Sequence, residues 1–99
     1  MNKIRVLGTD FHFGPGQPSE LLSRWAYCDF QNREILYAEY IDSAAMREAV
    51  FHELIHAADI STATSDNEMA EDQVQRISAV LFGILRDHPW LVDWLMEEK

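Results

Sequence analysis

One cysteine, Cys28, is all the chain has, so no disulfide can form within it. A lone thiol fits a reducing compartment, and Cys28 is read as a small buried side chain, because nothing in the sequence points to a partner base. Positive charge is scarce. The 8 Lys and Arg stand against 17 Asp and Glu, for a net charge of −9, and they are scattered. Nucleic-acid phosphate calls for clustered Lys and Arg, so no direct nucleic-acid binding is expected. The acidity favours solubility and basic partners. No apolar run is long enough to cross a bilayer, and no charged-then-apolar start reads as a signal peptide. Neither repeats nor low-complexity blocks occur. The expectation is one cytoplasmic domain over residues 1–99 with no membrane partner.

The pattern of side chains reads as α+β, strands first. Residues 3–7 alternate loosely and read as a strand that resumes through Phe11-His12-Phe13. "GPGQPSE", 14–20, is punctuated by glycine and proline and reads as a loop. Residues 24–41 read as a hairpin, with a turn at Gln31-Asn32-Arg33 in which Asn32 takes the left-handed conformation. Its second strand is Glu34 to Ile41, with Ile35, Tyr37, Glu39 and Ile41 on one side and Leu36, Ala38 and Tyr40 on the other. Asp42 or Ser43 caps a helix running to about Ile60. Ser65 and Glu68 form a capping-box pattern, which starts a second helix near Asp66 and carries it to about Arg86. His88 precedes Pro89, which suits the first position of a last helix, "PWLVDWLMEE".

The first helix carries "FHELIHAADI", residues 51–60, which contains His52, Glu53 and His56 in the spacing H-E-x-x-H. Shuffling this composition would produce that pattern in about one chain in a hundred. At 100° per residue, Met46, Val50, Phe51, Leu54, Ile55, Ala57 and Ala58 fill one half of the helix, which is read as core. His52, His56 and Asp59 share the other half. Two imidazoles one turn apart can converge on one zinc ion, and Glu53, rotated beside them, can reach a water on that ion as a general base. The competing reading is a pair of ordinary helix histidines with no ligand.

A catalytic zinc takes three protein ligands and keeps one position open. Glu68, Glu71, Asp72 and His88 are the candidates for the third. The apolar stripe of the second helix is read as Ala70, Val74, Ile77, Leu81, Ile84 and Leu85. Glu71 borders that stripe and is the choice; Glu68 has a capping role, Asp72 points away, and His88 merely precedes a helix. Asp59 is read as supporting a metal ligand through a hydrogen bond or fixing the metal-side geometry, with direct ligation and a plain helix-end carboxylate as alternatives. In the last helix, Trp90, Leu91, Trp94 and Leu95 form one apolar face, either packed on the core or open to a protein partner.

"HELIHAAD" and "EMAEDQVQRIS" together resemble the motif helix and the glutamate-bearing second helix of zincin metallopeptidases of the gluzincin type. The order of hairpin, motif helix and glutamate helix is similar to the ImmA/IrrE-like metallopeptidases and to small zincin-like proteins of phages and prophages, as is the ending "LRDHPWLVDWL". The likeness spans about residues 24–95. It implies zinc held by His52, His56 and Glu71, with Glu53 as the catalytic base. It further implies a cytoplasmic peptidase, acting in the host cytosol if phage-encoded, that cuts within peptide or protein substrates. The strand 34–41 would be the sheet edge that pairs with the substrate, with Tyr37 or Tyr40 beside the scissile carbonyl. The absence of a further domain for substrate recognition departs from the larger families and favours, as an alternative, a weak or inactive metal-stabilised module that binds other proteins. Such a structural metal would need a fourth ligand, for which Asp59 and His12 are the candidates.

Overall fold

Alternation in the first forty residues builds a four-stranded sheet, and the alanine-rich stretch after it builds the helix that covers one face. The computed structural model of the chain describes residues 2–39, 43–63 and 66–97. In order these form β1 (Asn2–Val6), β2 (Thr9–Pro15), α1 (Pro18–Leu21), β3 (Ala26–Asp29), β4 (Glu34–Tyr37), α2 (Ser43–Thr62), α3 (Glu71–Asp87) and α4 (Pro89–Leu95). The chain is thus α+β with its strands ahead of its main helices. None of the described helices is long and apolar enough to cross a membrane.

The sheet order is β1-β2-β4-β3. The expected single strand near the N-terminus is instead an antiparallel hairpin, β1 with β2, in which Val6 pairs with Thr9. Leu7 and Gly8 close it with φ of 48° and 84°, the two left-handed residues that a tight hairpin turn requires. The loop expected over 14–20 also departs. β2 runs through Pro15, and a single helical turn, α1, follows with Pro18 in its first turn. Gly16 allows this close return. A Cβ there would stand 3.0 Å from the Leu36 Cβ and 3.2 Å from the Leu21 Cγ.

The expected hairpin of β3 and β4 is present and antiparallel, with Ala26 opposite Tyr37. Its turn differs in detail, because Arg33 takes the left-handed conformation at φ 56°. Asn32 is held otherwise: the Asp29 carboxylate accepts from the Asn32 backbone N–H at 3.0 Å and from its side-chain amide at 2.9 Å. β4 ends at Tyr37, short of the expected Ile41. Tyr40, Ile41 and Asp42, the last an expected cap, lie outside the described residues, as does Ser65.

β4 is covered on both faces, which explains why consecutive residues Ile35 and Leu36 are both buried. Ile35 packs with Phe11 and with Ala57 of α2, joined by Leu54, Cys28 and Phe30. Leu36 packs on the other side with Leu21 of α1, Ala38 and Tyr27. Each such aliphatic side chain removed from water contributes about 1.5–3 kcal/mol before entropy is counted. α2 therefore lies along the sheet over β3 and β4, and α3 packs against it. The face expected as core on α2 holds at Leu54 and Ala57, whereas Ala58 is exposed.

α3 departs further from expectation. It begins at Glu71, five residues after Asp66, because the preceding segment is tied down elsewhere. The Asp59 carboxylate accepts the Met69 N–H at 3.0 Å, and the Gln73 side chain accepts the Ala70 N–H at 2.8 Å. The buried row of α3 is Val74 and Ser78, with Phe82 half-buried. Ile77, Leu81 and Ile84, expected in the core stripe, are exposed together with Val80. The reason is that α3 packs mainly on α2, with the short α4 folded against its end. α4 leaves Trp90 and Trp94 about two-thirds exposed, at 65% and 64%.

Candidate metal centre

Three side chains from two helices meet between α2 and α3. On α2, His52 and His56 stand one turn apart, and their Nε2 atoms are 3.1 Å from each other. Glu71 comes from the first residue of α3. Its Oε1 lies 2.8 Å from His52 Nε2 and its Oε2 lies 2.8 Å from His56 Nε2. The histidine side chains are largely covered, at 18% and 20% exposure, while Glu71 remains open at 69%. A helix start is a favourable place for that carboxylate, because the unpaired N–H groups there carry positive charge.

These three side chains could hold a metal ion. Tetrahedral zinc with bonds of about 2.0–2.1 Å sets neighbouring donor atoms roughly 3.3 Å apart. The separations here, 2.8 to 3.1 Å, lie within half an ångström of that value. No other His, Cys, Asp or Glu among the described residues joins the cluster. His12, the proposed fourth ligand, is exposed on β2, and Asp59 turns to the Met69 backbone. Of the four candidates for the third ligand, Glu71 alone reaches the histidines. Glu68 and Asp72 are exposed outside the cluster. His88 donates its Nδ1–H to the Ile84 carbonyl at 2.8 Å.

Glu53 faces the same cleft, between α2 and β3, a space of about 790 Å³ also lined by Trp25, Cys28 and Phe30. Burial is the main cause that raises its carboxyl above the ordinary range, and the nearby Glu71 charge adds to it; His52 and Arg24 pull the other way. Burial also pushes the Cys28 thiol up to about 12, reinforced by the charges of Glu53 and Asp29. Cys28, expected to be buried, is half-buried in the cleft wall.

Among the described strands, the edge of the sheet beside the cleft is β3, which pairs with β4 alone. β4, expected to be that edge, is interior, flanked by β2 in parallel and by β3. Tyr37 on β4 packs against Phe13, ring centres 5.2 Å apart, and does not line the cleft. Ser23, Arg24 and Trp25 form the rim; the left-handed Leu22 and Ser23 swing the chain from α1 into that position.

Ser78 also meets the site, although the H-E-x-x-H spacing does not point to it. Its side chain is 2% exposed and its Oγ lies 3.2 Å from His52 Nδ1. The signal was there: Ser78 is one polar residue in the row Val74, Ser78, Phe82, and it falls seven positions after Glu71 on the same helix face.

Comparison of the chain with protein-family models, with curated proteins and with solved structures gives no match.

Proposed function

We propose that the chain is a zinc-dependent peptidase, with His52, His56 and Glu71 as the metal ligands and Glu53 as the general base. The observation that carries this reading is the convergence of two imidazole Nε2 atoms and one carboxylate within 3.1 Å of one another, on the open side of a cleft. Two nitrogens and one oxygen are a donor set that suits zinc. Three protein ligands leave a position free, as hydrolysis requires. Bound zinc supplies a water of lowered pKa and polarises a carbonyl oxygen.

The chain's own residues do the rest. Glu53 is half-buried, and the burial that raises its carboxyl makes its carboxylate the stronger base; it accepts the water proton and returns it to the leaving amine. An extended peptide pairs with the free edge of β3, whose Ala26 and Cys28, with Phe30 beyond, alternate toward the cleft. The substrate is a peptide or protein cut within its chain. A cytosolic location accords with the lone thiol.

A second reading, a metal-stabilised module that binds another protein, is favoured by one observation: the exposed apolar side chains of α3 and α4. The variant Glu53→Gln separates the two. On the peptidase reading it keeps zinc and loses all cleavage of an unstructured protein such as casein. Cleavage equal in the variant and the wild type removes Glu53 from the chemistry, and no cleavage by either supports the binding module.

A further inference from the structure

We infer that Ser78 is a positioning residue for the metal centre: it accepts the His52 Nδ1–H and so turns the Nε2 lone pair toward the metal. The inference rests on the metal-site reading above. Its basis is the number of protons available. A hydroxyl has one proton to donate and lone pairs with which to accept. The Ser78 Oγ stands 3.2 Å from the backbone carbonyl of Gln75, and a carbonyl can only accept. We assign the single proton of Ser78 to that carbonyl, the partner that can do nothing but accept. With the proton placed there, the same oxygen accepts from His52 Nδ1, also at 3.2 Å. The proton between them belongs to the ring, and a neutral ring with its proton on Nδ1 has its free lone pair on Nε2. Nε2 is the atom that faces Glu71 and His56.

The placement supports the assignment. Ser78 is buried among side chains where water does not compete for its hydroxyl. It rides on the same helix as Glu71, two turns on, so one rigid element carries a ligand and the group that orients a second ligand. α3 thus meets both ring nitrogens of His52: Ser78 accepts from Nδ1, and Glu71 faces Nε2 across the metal position. Threonine could present the same oxygen, whereas alanine could not.

The test uses the full chain loaded with zinc, as wild type, Ser78→Ala and Ser78→Thr. Zinc affinity is read by competition with a chromophoric chelator. The His52 ring N–H is read by nitrogen-15 NMR. The wild type is expected to show a slowly exchanging Nδ1–H on His52. Ser78→Ala is expected to lose that signal and to bind zinc between ten- and a hundredfold more weakly, the usual cost of removing such a partner. Ser78→Thr is expected to restore both. If Ser78→Ala matches the wild type in affinity and keeps the protected N–H, the inference is overturned while the metal site stands. If the wild type shows zinc bound but no protected Nδ1–H, the inference fails without recourse to any variant. A wild-type chain that takes up no zinc overturns the metal site and this role together.

Discussion

His52 Nε2 and Glu71 Oε1 stand 2.8 Å apart although 19 positions separate them in the chain. The contact joins the middle of α2 to the first residue of α3. Removing the carboxylate should therefore reach the metal and little else. Glu71→Ala should weaken zinc binding by a hundredfold or more, on the order of 3 kcal/mol, with the fold retained by circular dichroism. Glu68→Ala, three residues earlier and outside the cluster, should bind as the wild type does. Equal losses in the two variants would contradict the assignment.

Asp59 acts on the same joint from the other side. Its carboxylate holds the Met69 N–H, two residues before Glu71. Losing a hydrogen bond to a charged acceptor at a half-buried site costs about 1–2 kcal/mol. Asp59→Ala should lower Tm by roughly 4–8 °C for each of those kcal/mol, and should also weaken zinc binding because the start of α3 is loosened. Asp59→Asn keeps an acceptor oxygen and should recover most of both. A Tm for Asp59→Ala within error of the wild type would remove this role.

Glu53 makes the metal-free protein less stable as it ionises. Its folded pKa is raised, chiefly by burial. A raised pKa contributes stability that is present below the unfolded value of about 4.3 and is lost as pH rises through the folded value. In chelator-treated protein, Glu53→Gln should thus have the higher Tm at pH 7, and the gap should close as pH falls toward 4. A gap that widens on acidification would contradict the burial argument.

The Cys28 thiol offers an independent view of the same wall. With its pKa pushed up to about 12, its thiolate fraction at pH 8 falls on the order of a thousandfold below that of an unfolded cysteine. Alkylation should be slow in the folded chain and fast in denaturant. Glu53→Gln should speed the folded reaction, since the Glu53 charge is the second cause of the shift. Rapid alkylation of the folded wild type would show the cleft wall to be open there.

Much of this arrangement was legible in the sequence, for reasons that can be named. His52 and His56 share a helix face by spacing alone, and no proline or glycine interrupts α2. Glu71 was found by its angle to an apolar stripe, although the stripe itself was misplaced. Ile77, Leu81 and Ile84 look like core by period, yet they are exposed. The true inner row includes Ser78, which polarity alone argues against. The edge strand was misassigned because pairing is non-local. β2 inserts beside β4 in parallel, and neither strand records in its own residues which neighbour it will take. α1 escaped notice because a single turn held by Pro18 and by Glu20 accepting the Gln17 N–H has no periodicity to read.

Zinc binding itself tests the central claim most directly. Metal-free wild type, His52→Ala and His56→Ala should be titrated with zinc by calorimetry, with bound metal counted by elemental analysis after dialysis. One zinc per wild-type chain is expected, and each histidine variant should fall far below that ratio. A wild-type chain that retains no zinc, or histidine variants that retain as much as the wild type, would contradict the site.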